Sequence, residues 1–298
     1  MIGPSIRGMD QGKLVRTAVD SFRAVKPPPD SLARALLLFI LFAWCLRCEL
    51  AAAQEVEFPE PSPSAAPEES DWKIQVGVIG GYSPEYDGSD EYGYFVKPKG
   101  SIAWRDRIIL TESSLRAQFR EGPFRFGPIV KYEQGRSDED DKDIKGVGSV
   151  PAGFGVGLYI KYKEDGFALS AETRKELAGG HGGILTELKA ELELPTGGSP
   201  WGKLGTELTI ADSAYMEEFF GIDANQSARS GLPTFDADGG LRSISVFWAS
   251  KIDLTPHWAL GGQVTYLRML GDAADSPIVE DAGSPNNVIL ALALVYRF

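Results

Sequence analysis

The sequence predicts an all-β protein: a transmembrane antiparallel up-and-down β-barrel of about twelve strands, preceded by a signal peptide and a disordered linker. Three observations predict it. Apolar and polar residues alternate with period two in one segment after another from Trp72 to the last residue. The connections between these segments are long and short in turn. Tryptophans fall at the segment ends that meet the short connections.

Taken in order, residues 1–53 read as a signal peptide with an N-terminal extension. Arg34 precedes the apolar run 35–45, and Ala51, Ala52 and Ala53 follow as a small-residue cleavage site, which is the arrangement of an export signal. The run is shorter than the ~20 residues of a membrane-spanning helix. Cleavage after Ala53 leaves Gln54 as the new N-terminus. Cys45 and Cys48, the two cysteines of the chain, fall inside this segment, so the exported chain is expected to hold no thiol or disulfide. Residues 54–71 are rich in Pro, Ser, Ala and Glu and carry too little apolar surface to order themselves, so they are expected to form a flexible periplasmic tail.

Residues 72–298 are expected to form the barrel. Trp72, Ile74, Val76, Val78, Gly80 and Tyr82 alternate with Lys73, Gln75, Gly77, Ile79 and Gly81. Further segments lie at 94–104, 106–111, 114–119, 124–132, 152–162, 166–174, 187–194, 201–211, 242–253, 258–268 and 288–298. Several reach the ~9–11 residues a tilted strand needs to cross a bilayer. Lys73, Gln75, Glu187, Lys189, Glu191 and Glu193 take the inward positions and make the lumen polar. Gly77, Gly80 and Gly81 relieve crowding in the wall or mark a bulge. Trp72, Trp104, Trp201 and Trp258 mark one membrane interface, where a ring can be part greasy and part wet. The chain stops on Tyr296, Arg297 and Phe298 at the end of an alternating strand, as a ring without a free edge requires.

Composition narrows the function. A formal net charge of −12 is the wrong sign for a nucleic-acid binder. The long connections gather carboxylates, and Asp87, Asp90, Asp138, Asp140 and Asp141 are weak candidates for a divalent cation that favours oxygen ligands. None of them has the spacing of a twelve-residue calcium loop, and a solvated acidic rim is the plainer reading. His181 sits among four glycines and His257 in a turn on the opposite side, so the two are not expected to share a site. Ser89, Ser230 and Ser276 lie in no nucleophile motif. Arg229, in the longest connection, is expected to pair with a loop acid. No catalytic residue and no cofactor is expected.

Several segments together carry a resemblance: Tyr82–Asp90, Trp104–Arg107, Gly180–Gly183, Ala228–Pro233, Leu270–Val279 and the Tyr296-Arg297-Phe298 end. In this order they resemble the MipA/OmpV outer-membrane family, also described as MltA-interacting proteins, over about residues 72–298. The resemblance implies the outer membrane of a Gram-negative cell, with lipid and lipopolysaccharide around the barrel. It implies a structural or scaffold role toward a lytic transglycosylase and a murein synthase, with a small-solute pore as the alternative. It brings no catalytic residues. Tyr296 and Phe298 look like the signal read by the barrel-assembly machinery.

Overall fold

The computed structural model describes residues 71–139, 141–179, 182–194 and 201–298. The expectations for the signal peptide and for residues 54–70 lie outside these residues.

The alternating segments become thirteen antiparallel strands in one sheet: β1 (Trp72–Pro84), β2 (Tyr92–Trp104), β3 (Ile108–Thr111), β4 (Ser114–Ala117), β5 (Phe119–Glu121), β6 (Phe124–Glu133), β7 (Gly153–Glu164), β8 (Phe167–Ala178), β9 (Ile184–Leu194), β10 (Trp201–Ala211), β11 (Gly240–Asp253), β12 (Trp258–Met269) and β13 (Asn286–Arg297). The ladder from β1 to β13 and the ladder from β4 to β6 close the sheet on itself. β4 and β5 both lie against β6 and are two halves of one stave, so the closed barrel has the twelve staves the sequence predicts. The expected strand 114–119 is broken at Gln118. Its N–H leaves the ladder for the Arg107 carbonyl at 2.6 Å, and its amide Nε2 donates to the Asp106 carbonyl at 2.9 Å.

Period two sorts the side chains. Val246, Trp248, Tyr266, Val288 and Leu290 point outward and are exposed, whereas their neighbours Phe247, Ala249, Leu267, Ile289 and Ala291 point inward and are buried. In water the outward set would be an aggregation surface; in lipid it is the solvated face. Two aromatic girdles bound this face. At the rim of short turns, Trp72 lies 6.5 Å from Trp104, Trp258 5.1 Å from Tyr296, and Phe124 5.3 Å from Tyr162. At the rim of long loops, Tyr82 lies 5.2 Å from Tyr92, and Tyr132 5.5 Å from Phe154. Trp72 and Tyr82 are ten residues apart on β1, roughly 33 Å along a strand and about 25 Å across a membrane at a usual tilt. That height matches the apolar band of outer-membrane barrels. Among the described residues, Trp72, Trp104 and Trp258 stand at the turn rim, and the loop-rim pairs are made of Tyr and Phe.

The inner wall has two characters. From β6 to β10 it is charged and zipped. Arg174 sits among Glu133, Glu172 (3.1 Å) and Glu187 (2.8 Å); Lys203 and Lys161 share Glu191 at 2.6 and 3.0 Å; Lys163 meets Glu193 at 2.7 Å; Lys189 meets Glu207 at 2.9 Å. From β12 through β13 and β1 to β2 it holds a small apolar patch, where Ile79, Phe95, Ala291 and Ala293 form one buried cluster, with polar residues such as Gln263 and Thr265 beside it. Gly81 belongs to this arc. A Cβ there would overlap the Leu290 carbonyl and come within 2.6 Å of the Phe95 ring, so the missing side chain is the seat of that ring. Between the alternatives of crowding relief and a bulge, the unbroken β1–β13 register selects crowding relief.

Candidate functional site

The long loops do not splay into solvent. They fold onto the loop rim as a cap built from four short helices: α1 (Ser213–Phe220), α2 (Ala224–Ser230), α3 (Asp272–Asp275) and α4 (Pro277–Glu280). Local sequence sets their ends. The Asp212 carboxylate accepts from the Tyr215 N–H at 3.0 Å and starts α1. Asp223 and Gln226 form a reciprocal capping box at α2, which stops at Gly231 in the left-handed conformation (φ 82°). Ser276 and Pro277 start α4.

Tyr215, Met216 and Phe220 of α1, with Ala273 of α3 and Val279 of α4, pack against Leu185, Ala211, Leu267 and Met269. Those last four are inward residues at the loop ends of β9, β10 and β12, so the cap sits inside the mouth rather than above it. A second cluster joins Tyr86, Ile144, Val147, Ile222, Ile278 and Ala282. It ties together the loops after β1, β6, β10 and β12.

Polar clamps fix the same pieces. Arg242 at the top of β11 pairs with Asp87, and its guanidinium lies 5.5 Å from the Tyr215 ring and 5.9 Å from the Phe220 ring. Arg136 donates to the carbonyls of Phe219 and Gly148. Ser276 Oγ donates to the Phe220 carbonyl at 2.6 Å. Asn287 bridges the first loop, accepting from the Gly88 N–H at 3.0 Å and donating to the Ser89 carbonyl at 2.8 Å. The Tyr86 hydroxyl donates to the Ile278 and Ala282 carbonyls, both at 3.2 Å. Burial, with Asp141 nearby, pushes that phenol above its usual range, so it remains a donor at any physiological pH. Burial also pushes Tyr215 up, to about 12.

The acidic candidates turn out to serve these loops. Asp87 is held by Arg242. Asp138 organises its own loop, accepting from Ser149 Oγ at 2.6 Å and from the N–H groups of Gly146 and Gly148 at 3.1 and 3.0 Å. Burial pushes Asp138 up, but these hydrogen bonds outweigh it and hold the carboxyl below its usual range. Asp141 is buried, accepting from Ser89 Oγ at 3.1 Å and from the Asp143 N–H at 2.8 Å. Asp90 is exposed, and Asp140 lies outside the described residues. The carboxylates that do converge are Glu85, Glu91 and Asp141, with one oxygen of each within 4.8 Å of the others. Lys142 lies on Glu91, so part of that charge is met within the protein. The candidate set shared only Asp141 with this trio, because which acids meet depends on how two loops distant in sequence fold together.

Other candidates resolve similarly. Arg229 was expected to pair with a loop acid; instead its Nε donates to the Gly146 carbonyl at 3.1 Å, pinning α2 to the loop after β6. Ser230 Oγ donates to the Gln226 carbonyl at 2.8 Å, closing the end of α2. His257 stands at the turn rim, with Nδ1 3.1 Å from the Arg297 carbonyl and its ring 5.6 Å from Tyr296. His181 and the side chain of Trp201 lie outside the described residues. The Phe298 N–H donates to the Ile74 carbonyl at 3.1 Å, and Tyr296 pairs with Val76, so the chain end is sewn to the first strand.

The family described as MltA-interacting protein MipA matches residues 76–298. No curated protein sequence matches significantly. Among solved structures, the chain is similar to an outer-membrane channel from Pseudomonas putida F1: 11% identity, 80% of this chain and 100% of that one, TM-score 0.40. It is similar to the NanC porin at 8% identity, 75% and 100% of the chains and a TM-score of 0.39. It is also similar to the outer membrane protein OprD from Pseudomonas aeruginosa at 9% identity, 78% and 66% of the chains and a TM-score of 0.34.

Proposed function

The chain belongs to the MltA-interacting protein MipA family, and from that premise we propose that this outer-membrane barrel is a non-enzymatic, non-conducting scaffold for murein enzymes. Its loop rim faces the outside and its turn rim faces the periplasm, the usual sense for barrels with long loops at one end. The turn rim then offers its short connections to MltA, the partner the family's description names, taken as the lytic transglycosylase the resemblance implies, and to a murein synthase working with it.

The observation that carries this reading is the cap. The inward residues Leu185, Ala211, Leu267 and Met269 are spent packing on α1, α3 and α4 instead of lining an entrance. A barrel used for solute passage keeps its mouth hydrated, whereas here the mouth has an apolar core. The small-solute pore remains the alternative, favoured by the charged arc of the lumen. The test is retention of both murein enzymes, purified, on the immobilised detergent-solubilised barrel. The scaffold reading expects both to be retained at physiological salt and a barrel of unrelated sequence to retain neither. Equal retention by the two barrels would reject it.

A further inference from the structure

The charge of the inner wall does not follow that of the chain. The chain carries a formal net charge of −12, yet the wall near the turn rim is cationic. On β5, β6 and β7 three cations stand in register: Arg120 opposes Arg125, and Arg125 opposes Lys161. The alternate face of these strands is the lipid side, where Phe119 lies 6.0 Å from Phe126 and Phe124 meets Tyr162 in the turn-rim girdle. Period two therefore turns Arg120, Arg125 and Lys161 into the lumen, and Lys161 reaches Glu191 of the charged arc at 3.0 Å. Neighbouring strands lie about 4.8 Å apart, so the three positions make a row roughly 10 Å long. Lys163 stands one inward step closer to the rim.

The inward positions of β5 and β7 hold no carboxylate, and on β6 the one acid is Glu133 at the loop end. Acids do approach the row from β9, Glu191 at Lys161 and Glu193 at Lys163, so the row offers an excess of positive charge rather than bare cations. The excess arises because carboxylates are shared. Glu191 also meets Lys203 at 2.6 Å. Toward the same rim, Asp253 meets both Arg297 and Lys251, the latter at 3.7 Å. One carboxylate between two cations leaves a positive remainder. A cleft lined by one sign of charge, between low-dielectric walls, focuses its field and concentrates counter-ions. Like charges directly opposite on a sheet also cost stability, which an anion bound between them returns.

The row faces away from lipid, so bilayer headgroups do not reach it and its ligand arrives dissolved. Guanidinium groups take carboxylate and phosphate oxygens two at a time. Cations spaced at about 5 Å suit a molecule with more than one such group. We propose that Arg120, Arg125 and Lys161 form a binding site, at the turn-rim mouth of the lumen, for a small soluble molecule carrying two or more carboxylate or phosphate groups. In the orientation given above, this mouth opens to the periplasm. The site itself depends neither on that orientation nor on the murein enzymes, because the solubilised barrel exposes both rims.

Isothermal titration calorimetry on the barrel in non-ionic detergent tests this, with citrate and tripolyphosphate as probes and acetate as the single-charge control, all at one ionic strength. The proposal expects saturable binding of at least one probe, citrate alone pointing to carboxylates and tripolyphosphate alone to phosphates. Arg120→Gln combined with Arg125→Gln should weaken binding about tenfold or more, and Arg120→Gln alone about threefold. Lys175 is an exposed cation on the outward face of β8, and Lys175→Gln should leave binding unchanged. Folding of each variant is checked by the gel mobility shift between unheated and heated barrel. No saturable binding of either probe, acetate bound as tightly as both, equal affinity in the parent and the Arg120 variants, or the same loss with Lys175→Gln would overturn it.

Discussion

The charged arc from β6 to β10 and the small arc from β12 to β2 solve one problem in two ways. Both must fill the inside of a narrow barrel without leaving polar groups unmet. The charged arc uses long side chains and neutralises them in pairs, so each Lys or Arg is worth keeping only while its carboxylate stands opposite. The small arc removes side chains, with Gly77, Gly81, Ala291 and Ala293, and lets backbone and one ring, Phe95, come close. The first arc should therefore be sensitive to deletion of charge and the second to addition of volume.

The largest effect is expected at Arg174. Replacing it by Met takes the guanidinium away from Glu133, Glu172 and Glu187 and leaves Lys131, 3.5 Å from Glu187 and 3.9 Å from Glu172, to face those two, and breaking a buried pair costs about 3–5 kcal/mol. Thermal unfolding in detergent, followed by the loss of the compact gel band, should show this variant melting well below the parent. A parent-like transition would mean that water, not pairing, solvates the charged arc. Gly81→Val should cost about 1–3 kcal/mol by overpacking against Phe95 and the Leu290 carbonyl, with Gly81→Ala milder. If both variants melt like the parent, the small arc has slack and is not close-packed.

The cap carries a pH response of its own. The Asp138 carboxyl is held below its usual value in the folded loop, so its contribution is present above about pH 4 and lost as pH falls through the lower folded value. Limited proteolysis of the loop after β6 should quicken as pH drops below about 4, and Asp138→Asn should remove most of that dependence while the barrel resists cleavage throughout. The smallest effect belongs to the turn-rim girdle. Trp258→Ala removes the ring packed on Tyr296, worth about 0.5–1.5 kcal/mol, and should lower the melting point slightly.

What could be read from the sequence follows the range of the interaction involved. Strand number and facing were legible because period two is local, and the inward Glu187, Lys189, Glu191 and Glu193 are visible on inspection. Their partners were not, since Lys203, Lys161, Lys163 and Glu207 come from other strands whose register is set by the whole ring. The break at Gln118 was missed because it arises from hydrogen bonds to the Asp106 and Arg107 carbonyls, not from a turn residue. The loop at 213–241 carries its helix signals in plain view: Asp212, Asp223 with Gln226, and Gly231. Where those helices dock depends on inward residues of β9 and β12, and this only folding reveals.

The account stands on the proposal that the cap closes the mouth, and single-channel recording in planar bilayers measures this directly. The parent barrel should stay silent, and a variant with residues 213–231 replaced by a short Gly-Ser linker should show discrete openings through the polar lumen. Discrete openings from the parent, matched by no gain in the variant, would contradict it.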